Sequence, residues 1–228
     1  MNVTTEEVDG AIVATIDDGK VNALSVEIIG GIRAAVAEAA GRRRPLVLAG
    51  RDGCLSAGFD LTVVNGGDAD LVKALFSEGA DLYGDIVGAP VPVVVACTGH
   101  ALAGGALLLL SADYRVGRHG NYQIGLNEAR IGMALPNFAV VLASHRLERR
   151  YLTAATMFAE LVPPGRAVEM GYLDECVDDP LGRAVACAAE LAQLPADSFA
   201  ATKRRIRRDL VRALADLKGP RSAGSTGR

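Results

Sequence analysis

Two segments of the 228-residue chain place small residues where a buried strand gives way to a helix. Residues 54–61 (CLSAGFDL) follow the apolar run PLVLAG at 45–50, and residues 99–106 (GHALAGGA) follow VPVVVAC at 91–97. Small side chains let a ligand touch the main chain. A helix start adds N–H groups without intrahelical partners, at the positive end of its dipole. Two such groups aimed at one point form an oxyanion hole, where a single donor contributes ~2.7–4 kcal/mol of transition-state stabilisation. Close helix–strand packing without any ligand calls for the same small residues, so spacing leaves both readings open.

The elements that must hold these loops follow from periodicity. Residues 2–8 and 11–16 form two short strands around an Asp9-Gly10 turn. Ser25 caps a helix over residues 26–40, with Ile28, Ile29, Ile32 and Val36 as its apolar stripe. The runs at 45–50 and 91–97 are continuous and apolar, as in strands covered on both faces. Helices are expected over 68–87 and 104–111, and brief strands at 113–116 and 122–124. From Pro136 onward the pattern is helical, with breaks at Pro163-Pro164 and near Asp179-Pro180. Strands alternating with helices predict an α/β architecture with parallel pairing, then a helical C-terminal region. No linker divides the chain, and no simple repeat is visible. Residues 219–228 (GPRSAGSTGR) are of low complexity and are expected to be a disordered tail.

Composition narrows the function classes. Half the residues are hydrophobic, which excludes disorder as the main state. Twenty-four basic against 27 acidic residues give a net charge of −3, so no global field draws in nucleic acid or an anionic membrane. Neither is expected as a partner. The basic stretch at 203–208 (KRRIRR) falls on a helix with Phe199, Ile206, Leu210 and Leu214 as its apolar stripe, and reads as a solvated face. No P-loop, GxSxG elbow, HExxH or early GxGxxG occurs. The three histidines, His100, His119 and His145, are far apart in sequence, and His100 reads as a hydrogen-bonded turn residue. Cys54, Cys97, Cys176 and Cys187 lack CxxC or zinc-ligand spacing, so no metal site is expected and free thiols in a reducing cytosol are. The opening MNVTTEEVDG has neither the basic nor the apolar region of a signal peptide, and a cytoplasmic location is expected.

SAGFDL (56–61) and GHALAGGA (99–106), with VPVVVA before the second, resemble the crotonase, or enoyl-CoA hydratase/isomerase, superfamily. KVNALS (20–25), SADYRV (111–116) and GLNEARIGMALP (125–136) extend the resemblance, in the expected order, across roughly residues 3–218. It implies an α/β fold, a right-handed spiral of ββα turns over residues 1–195, capped by a helical region at 196–218. It also implies a homotrimer or dimer of trimers. The chain is a little short for the family, with any deficit falling in the C-terminal helices.

The resemblance further implies an acyl-CoA thioester as substrate, with coenzyme A part of that substrate and no separate cofactor. The N–H groups of Phe59 and Gly104 would hold the thioester oxygen, which takes the negative charge when an α-proton leaves and an enolate forms. Coenzyme A would run along residues 20–24 and 57–61, making Lys20, Ala23, Leu24, Ala57, Asp60, Leu61, Ala101 and Gly105 the candidate substrate-binding residues. Lys20 would face a phosphate. Family hydratases carry two glutamates. One position is Leu107 here, which cannot transfer a proton, and the other is Glu128. One carboxylate suffices to carry a proton from C2 to C4, whereas adding water is harder with one. The GLNE stretch also resembles Δ3-Δ2-enoyl-CoA isomerases more than hydratases. The expected function is therefore an isomerase acting through Glu128. A hydratase with a single glutamate and a non-catalytic acyl-CoA-binding protein are the alternatives. Glu128 would need a raised pKa, expected from burial under Leu126 and Ile131. Apart from the resemblance it reads as a surface residue paired with Arg130. Residues 61–67 and 133–138 are expected to set the acyl chain length.

Overall fold

A computed structural model describes residues 2–217, and its elements recur in one order. The hairpin expected around Asp9-Gly10 is present as β1 (Val3–Val8) and β2 (Ala11–Ile16). Next come β3 (Ala23–Leu24) and α1 (Val26–Arg42), then β4 (Leu46–Gly50), β5 (Gly53–Ser56), β6 (Gly58–Phe59), the short α2 (Leu61–Val64) and α3 (Ala69–Gly88). A further round consists of β7 (Val93–Cys97), β8 (Gly99–Leu102) and α4 (Gly104–Ser111). It is followed by β9 (Tyr114–Arg118), β10 (Ile124–Gly125) and a 3-10 turn over Glu128–Ile131. The chain then runs through α5 (Asn137–Arg146), α6 (Leu152–Thr156), α7 (Pro164–Met170), β11 (Glu175–Val177), α8 (Pro180–Ala192) and α9 (Ala196–Asp216).

The leading strand of each round joins a six-stranded sheet in the order β1-β2-β4-β7-β9-β11, parallel except for β1 with β2. The second strands peel away into two smaller parallel sheets, β10-β8-β5 and β3-β6. A strand–strand–helix unit is thus repeated although no repeat is visible in the sequence, because the rounds share a burial pattern rather than residues. Alternation within the buried strands sorts the core. Leu46 and Leu48 of β4 face the layer containing α1, α3 and α4, while Val47 and Ala49 face Ala184 and Ala188 of α8.

Local signals explain most element ends. The Ser25 hydroxyl accepts from Ile28 N at 3.3 Å, and Asp68 caps α3 by accepting from Asp70 and Leu71 N–H. Pro164 and Pro180 sit in the first turns of α7 and α8, so these prolines open helices there. Three sequence expectations need correction. The stretch read as a loop before Leu61 contains β5 and β6, whose pairing partners lie tens of residues away. The region after Pro136 is not wholly helical, since β11 completes the large sheet beside β9. The basic stretch is also not uniformly solvated. Arg204, Arg205 and Arg208 are exposed, but Lys203 is buried, with Nζ 2.5 Å from Asp113 Oδ2 and 3.1 Å from the Val91 carbonyl. The stripe of α9 therefore passes through Lys203, Leu210 and Leu214, and leaves Ile206 75% exposed. Asp113 also accepts from Val93 N at 2.9 Å, so one carboxylate joins α9 to the start of β7.

The expected tail at 219–228 lies outside the described residues, as does Lys218. Among the described residues no helix is long and apolar enough to cross a membrane. All four cysteines are free thiols, and burial pushes that of Cys97 up to about 12.

Candidate active site

The parallel pairing of β3 with β6 sets Ala23 opposite Gly58 and Leu24 opposite Phe59, so the turn carrying Lys20 lies along the first small-residue loop. Asn22 organises this junction. It is fully buried at φ 52°, and its amide donates to the carbonyls of Ile16 (2.9 Å), Cys54 (3.2 Å) and Leu55 (3.2 Å). Ser56 Oγ donates to the Asn22 carbonyl at 2.7 Å and accepts from Gly58 N at 3.1 Å. Beneath the turn, Asp18 accepts from the N–H groups of Lys20, Asn22 and Ala23. Burial alone would raise its pKa, but those bonds and nearby Arg51 hold it below the ordinary carboxylate value. Neither Asn22 nor Asp18 is marked in the sequence by anything beyond a turn-prone DDGKVN.

The two loops meet at Gly58. Its φ is +98°, and a Cβ there would stand 2.8 Å from Ala103 Cβ and 3.0 Å from Gly104 N. Only a residue without a side chain lets β6 reach the first turn of α4. Tyr83, fully buried on α3, donates its hydroxyl to the Gly104 carbonyl at 3.0 Å and so ties down that turn. Ala103, just ahead of α4, has φ 48° and ψ −119°, a conformation glycine adopts far more readily. Such strain costs roughly 1–3 kcal/mol and gathers at functional sites. We expect Ala103→Gly to stabilise the fold by about 1 kcal/mol, read as a higher urea midpoint with an unchanged slope.

The carboxylate arrives by a different route. β10 pairs with β8, Ile124 opposite Ala101 and Gly125 opposite Leu102, and Ala103 N donates to the Gly125 carbonyl at 2.9 Å. Three residues on, Glu128 opens the 3-10 turn, which Met133 N closes onto the Glu128 carbonyl at 2.9 Å. Glu128 is 5% exposed, and its Oε2 has no hydrogen-bond partner among the described residues. Burial raises its pKa above the ordinary value. The pairing with Arg130 is absent, because Arg130 Nε donates to the Ala159 carbonyl at 2.6 Å instead. Leu126 is buried as expected, whereas Ile131 is 44% exposed at the rim. Phe59, Val64, Phe76, Met133 and Pro136 supply the apolar surroundings in its place.

Ala57, Phe59, Leu61, Ala103 and Glu128 line one cavity of about 60 Å³. Ala23 and Leu24 adjoin it through β3, and Gly104 touches its wall through Phe59. Ala101 and Gly105 are buried behind it, Gly105 against the Ser56 carbonyl, so they pack the loops together and do not line the cavity. Lys20 is exposed at the turn, with Arg51 donating to its carbonyl. The Asp60 carboxylate caps α2 by accepting from Thr62 N at 2.8 Å. Leu107 is fully buried in the apolar core. The His100 Nδ1 accepts from Gln123 N at 3.0 Å, so the expected hydrogen bond is present, but the residue lies in β8 and not at a turn. Larger grooves of about 540 and 350 Å³ run along α9, lined by Lys203 and Arg207 and remote from Glu128. Among the described residues no group of three or more His, Cys, Asp or Glu side chains could hold a metal ion.

A lone carboxylate in an apolar cavity, beside a helix start packed closely against the neighbouring loop, suits removal of a proton next to a carbonyl whose oxygen gains charge. Residues 6–218 match the sequence profile of the family described as enoyl-CoA hydratase/isomerase. The rat mitochondrial enoyl-CoA delta isomerase 1 is 30% identical over 165 residues, covering 69% of this chain and 56% of that protein, so the chain matches little more than half of that relative. A probable enoyl-CoA hydratase of Mycobacterium avium is 32% identical over 196 residues, covering 80% and 72%. Among solved structures, an enoyl-CoA hydratase/isomerase family protein from Pseudomonas syringae superposes with a TM-score of 0.92 at 36% identity, over 94% of each chain. The human mitochondrial delta3-delta2-enoyl-CoA isomerase superposes with a TM-score of 0.90 at 25% identity, over 96% of this chain and 88% of that one.

Proposed function

The chain belongs to the enoyl-CoA hydratase/isomerase family and has the crotonase spiral fold, and from that premise we propose that it is an isomerase acting on 3-enoyl-CoA through Glu128. The observation that carries this reading is a buried carboxylate lining the cavity, its Oε2 without a hydrogen-bond partner among the described residues, while the place of a second acid is taken by Leu107, buried in the apolar core.

The thioester oxygen accepts from the N–H groups of Phe59 and Gly104. Glu128 takes a proton from C2. The C2–H electron pair spreads through C1–C2 and the 3,4 double bond, with most of the charge on the held oxygen. The protonated Glu128 then returns the same proton to C4, and the double bond lies between C2 and C3. Nothing is gained or lost overall. The apolar walls keep bulk water from protonating the enolate elsewhere, and the raised pKa keeps the neutral acid stable enough to complete the return.

Coenzyme A enters as part of the substrate, along the β3 turn, with the Lys20 ammonium facing a phosphate and no further cofactor required. A cytoplasmic location and a trimeric assembly complete the reading. The Mycobacterium avium relative, named as a probable hydratase, favours a second one, in which Glu128 activates water for addition to a 2-enoyl-CoA. Purified protein is given 3-hexenoyl-CoA and 2-hexenoyl-CoA in separate reactions, and the products are separated by chromatography. We expect conversion of the first to the 2-enoyl ester without appreciable hydration of the second. Hydration faster than isomerisation would replace the proposal with the hydratase reading. Binding without conversion would leave an acyl-CoA-binding protein.

A further inference from the structure

We infer that the site selects short acyl chains and that the Phe76 ring sets this limit; the inference rests on the acyl-CoA reading above. Four of the chain's five Phe and five Tyr residues cluster behind one wall of the cavity, which Phe59 and Phe76 line and Tyr83 and Phe138 back. Phe59 meets Phe76 edge to face at 5.0 Å and Phe138 at 6.2 Å, and Tyr83 lies 5.7 Å from Phe138. In a protein with so few aromatics, this is a concentrated wall of large, stiff side chains.

Three of these rings are held in place. Phe59 is wedged against α3 at Gly79, where a Cβ would stand 2.4 Å from its Cζ. Tyr83 is fixed by its hydrogen bond to the Gly104 carbonyl. Phe138 is 7% exposed and packed in the main core. Phe59 and Phe76 are both half-buried and are the two rings that line the cavity itself, and of the two Phe76 is the one without a glycine cradle or a hydrogen bond to fix it. Leu61 and Ile131, 47% and 44% exposed, are the lining residues that reach solvent. The space left between is about 60 Å³. In this measure a cavity needs roughly 10–15 Å³ to admit a single water, so a space this small has room for only a short chain. A longer chain must displace a packed ring, and one misfitting methylene already costs about 10–200-fold in a closed apolar pocket.

The test has a binding arm and a turnover arm. Dissociation constants for butanoyl-, hexanoyl-, octanoyl- and decanoyl-CoA are measured calorimetrically for wild type, Phe76→Ala and Phe76→Leu. The ratio kcat/KM is measured on the corresponding 3-enoyl-CoA esters. We expect wild-type affinity and kcat/KM to fall about tenfold or more between the six- and ten-carbon esters. Phe76→Ala should move the preference to eight or ten carbons, and Phe76→Leu should fall between. The leucine variant retains most of the packing, which guards against loss of fold. Equal treatment of six- and ten-carbon esters by wild type, or an unchanged length profile in both variants, would overturn the inference. A length-dependent affinity shifted by Phe76→Ala, with no turnover of any ester, would uphold it while removing the isomerase reading.

Discussion

We expect Glu128→Gln to abolish turnover and leave acyl-CoA binding intact. In the proposed isomerase cycle the carboxylate acts twice, as base at C2 and as acid at C4, and general acid–base catalysis contributes about 10²–10⁴-fold. The expected loss in kcat on 3-hexenoyl-CoA lies at the upper end, about 10⁴-fold or ~5.5 kcal/mol of barrier. Glutamine keeps the shape, so the dissociation constant for hexanoyl-CoA should not move. In the wild type, burial sets the carboxylate pKa above 4.5, and the first step needs the ionised form. The rate therefore climbs as pH rises through that raised value. Stability runs the other way. The pKa is higher folded than unfolded, so the protonated form is the one the fold favours. Its contribution is full below the unfolded value and declines as pH rises through the folded one. Glu128→Gln should accordingly be more stable than the wild type at neutral pH, a gain that vanishes in acid. Urea titrations at neutral and acid pH measure it. A variant that loses activity and stability together would show that Glu128 holds the fold and not the proton.

Gly58→Ala attacks the other half of the chemistry without touching a polar side chain. An alanine there meets Ala103 Cβ and Gly104 N while being asked for φ +98°. Either β6 or the start of α4 must shift, and in the proposed mechanism each carries a donor to the thioester oxygen. Misplacing one donor costs about 10²–10³ in kcat. The strained backbone costs a further ~1–3 kcal/mol of stability. Stopped-flow turnover together with a urea titration separates the two effects. A full kcat alongside reduced stability would mean that Gly58 serves packing alone.

What the sequence discloses depends on how local the cause is. Helix α1 was readable because Ser25, its cap, and the isoleucine stripe lie within a few turns of each other. Helix α4 was readable because Gly104 and Ser111 bracket an apolar run. The strands β5 and β6 were hidden, since Gly58 pairs with Ala23 and Cys54 with His100, and nothing at residues 54–59 announces those partners. Lys203 looked like its charged neighbours because its reason for burial, Asp113, lies 90 residues away. In the site, the two loops stood out by their small residues, but the choice between ligand and packing, and Glu128 itself, were legible only through the family motifs. Without them the carboxylate had the look of a surface residue, and only its exposure of 5% separates the cases. Asn22 and Tyr83 were missed for a different reason. Their work is to hold main-chain carbonyls, and any buried Asn or Tyr has the same appearance in a sequence.

In the proposed mechanism Phe59 contributes in two separable ways. Its main-chain N–H would hold the enolate charge, and its ring belongs to the wall. Any residue but proline keeps the first contribution, so the ring is free to change. The protein can therefore be retuned to a new acyl group by ordinary side-chain replacement without re-engineering the machinery that holds the enolate. The converse also follows. An alanine scan would report Phe59 as a residue of substrate fit and would be blind to its electrostatic role. That role would come to light only through its neighbour Gly58, or through replacement of the amide itself by an ester.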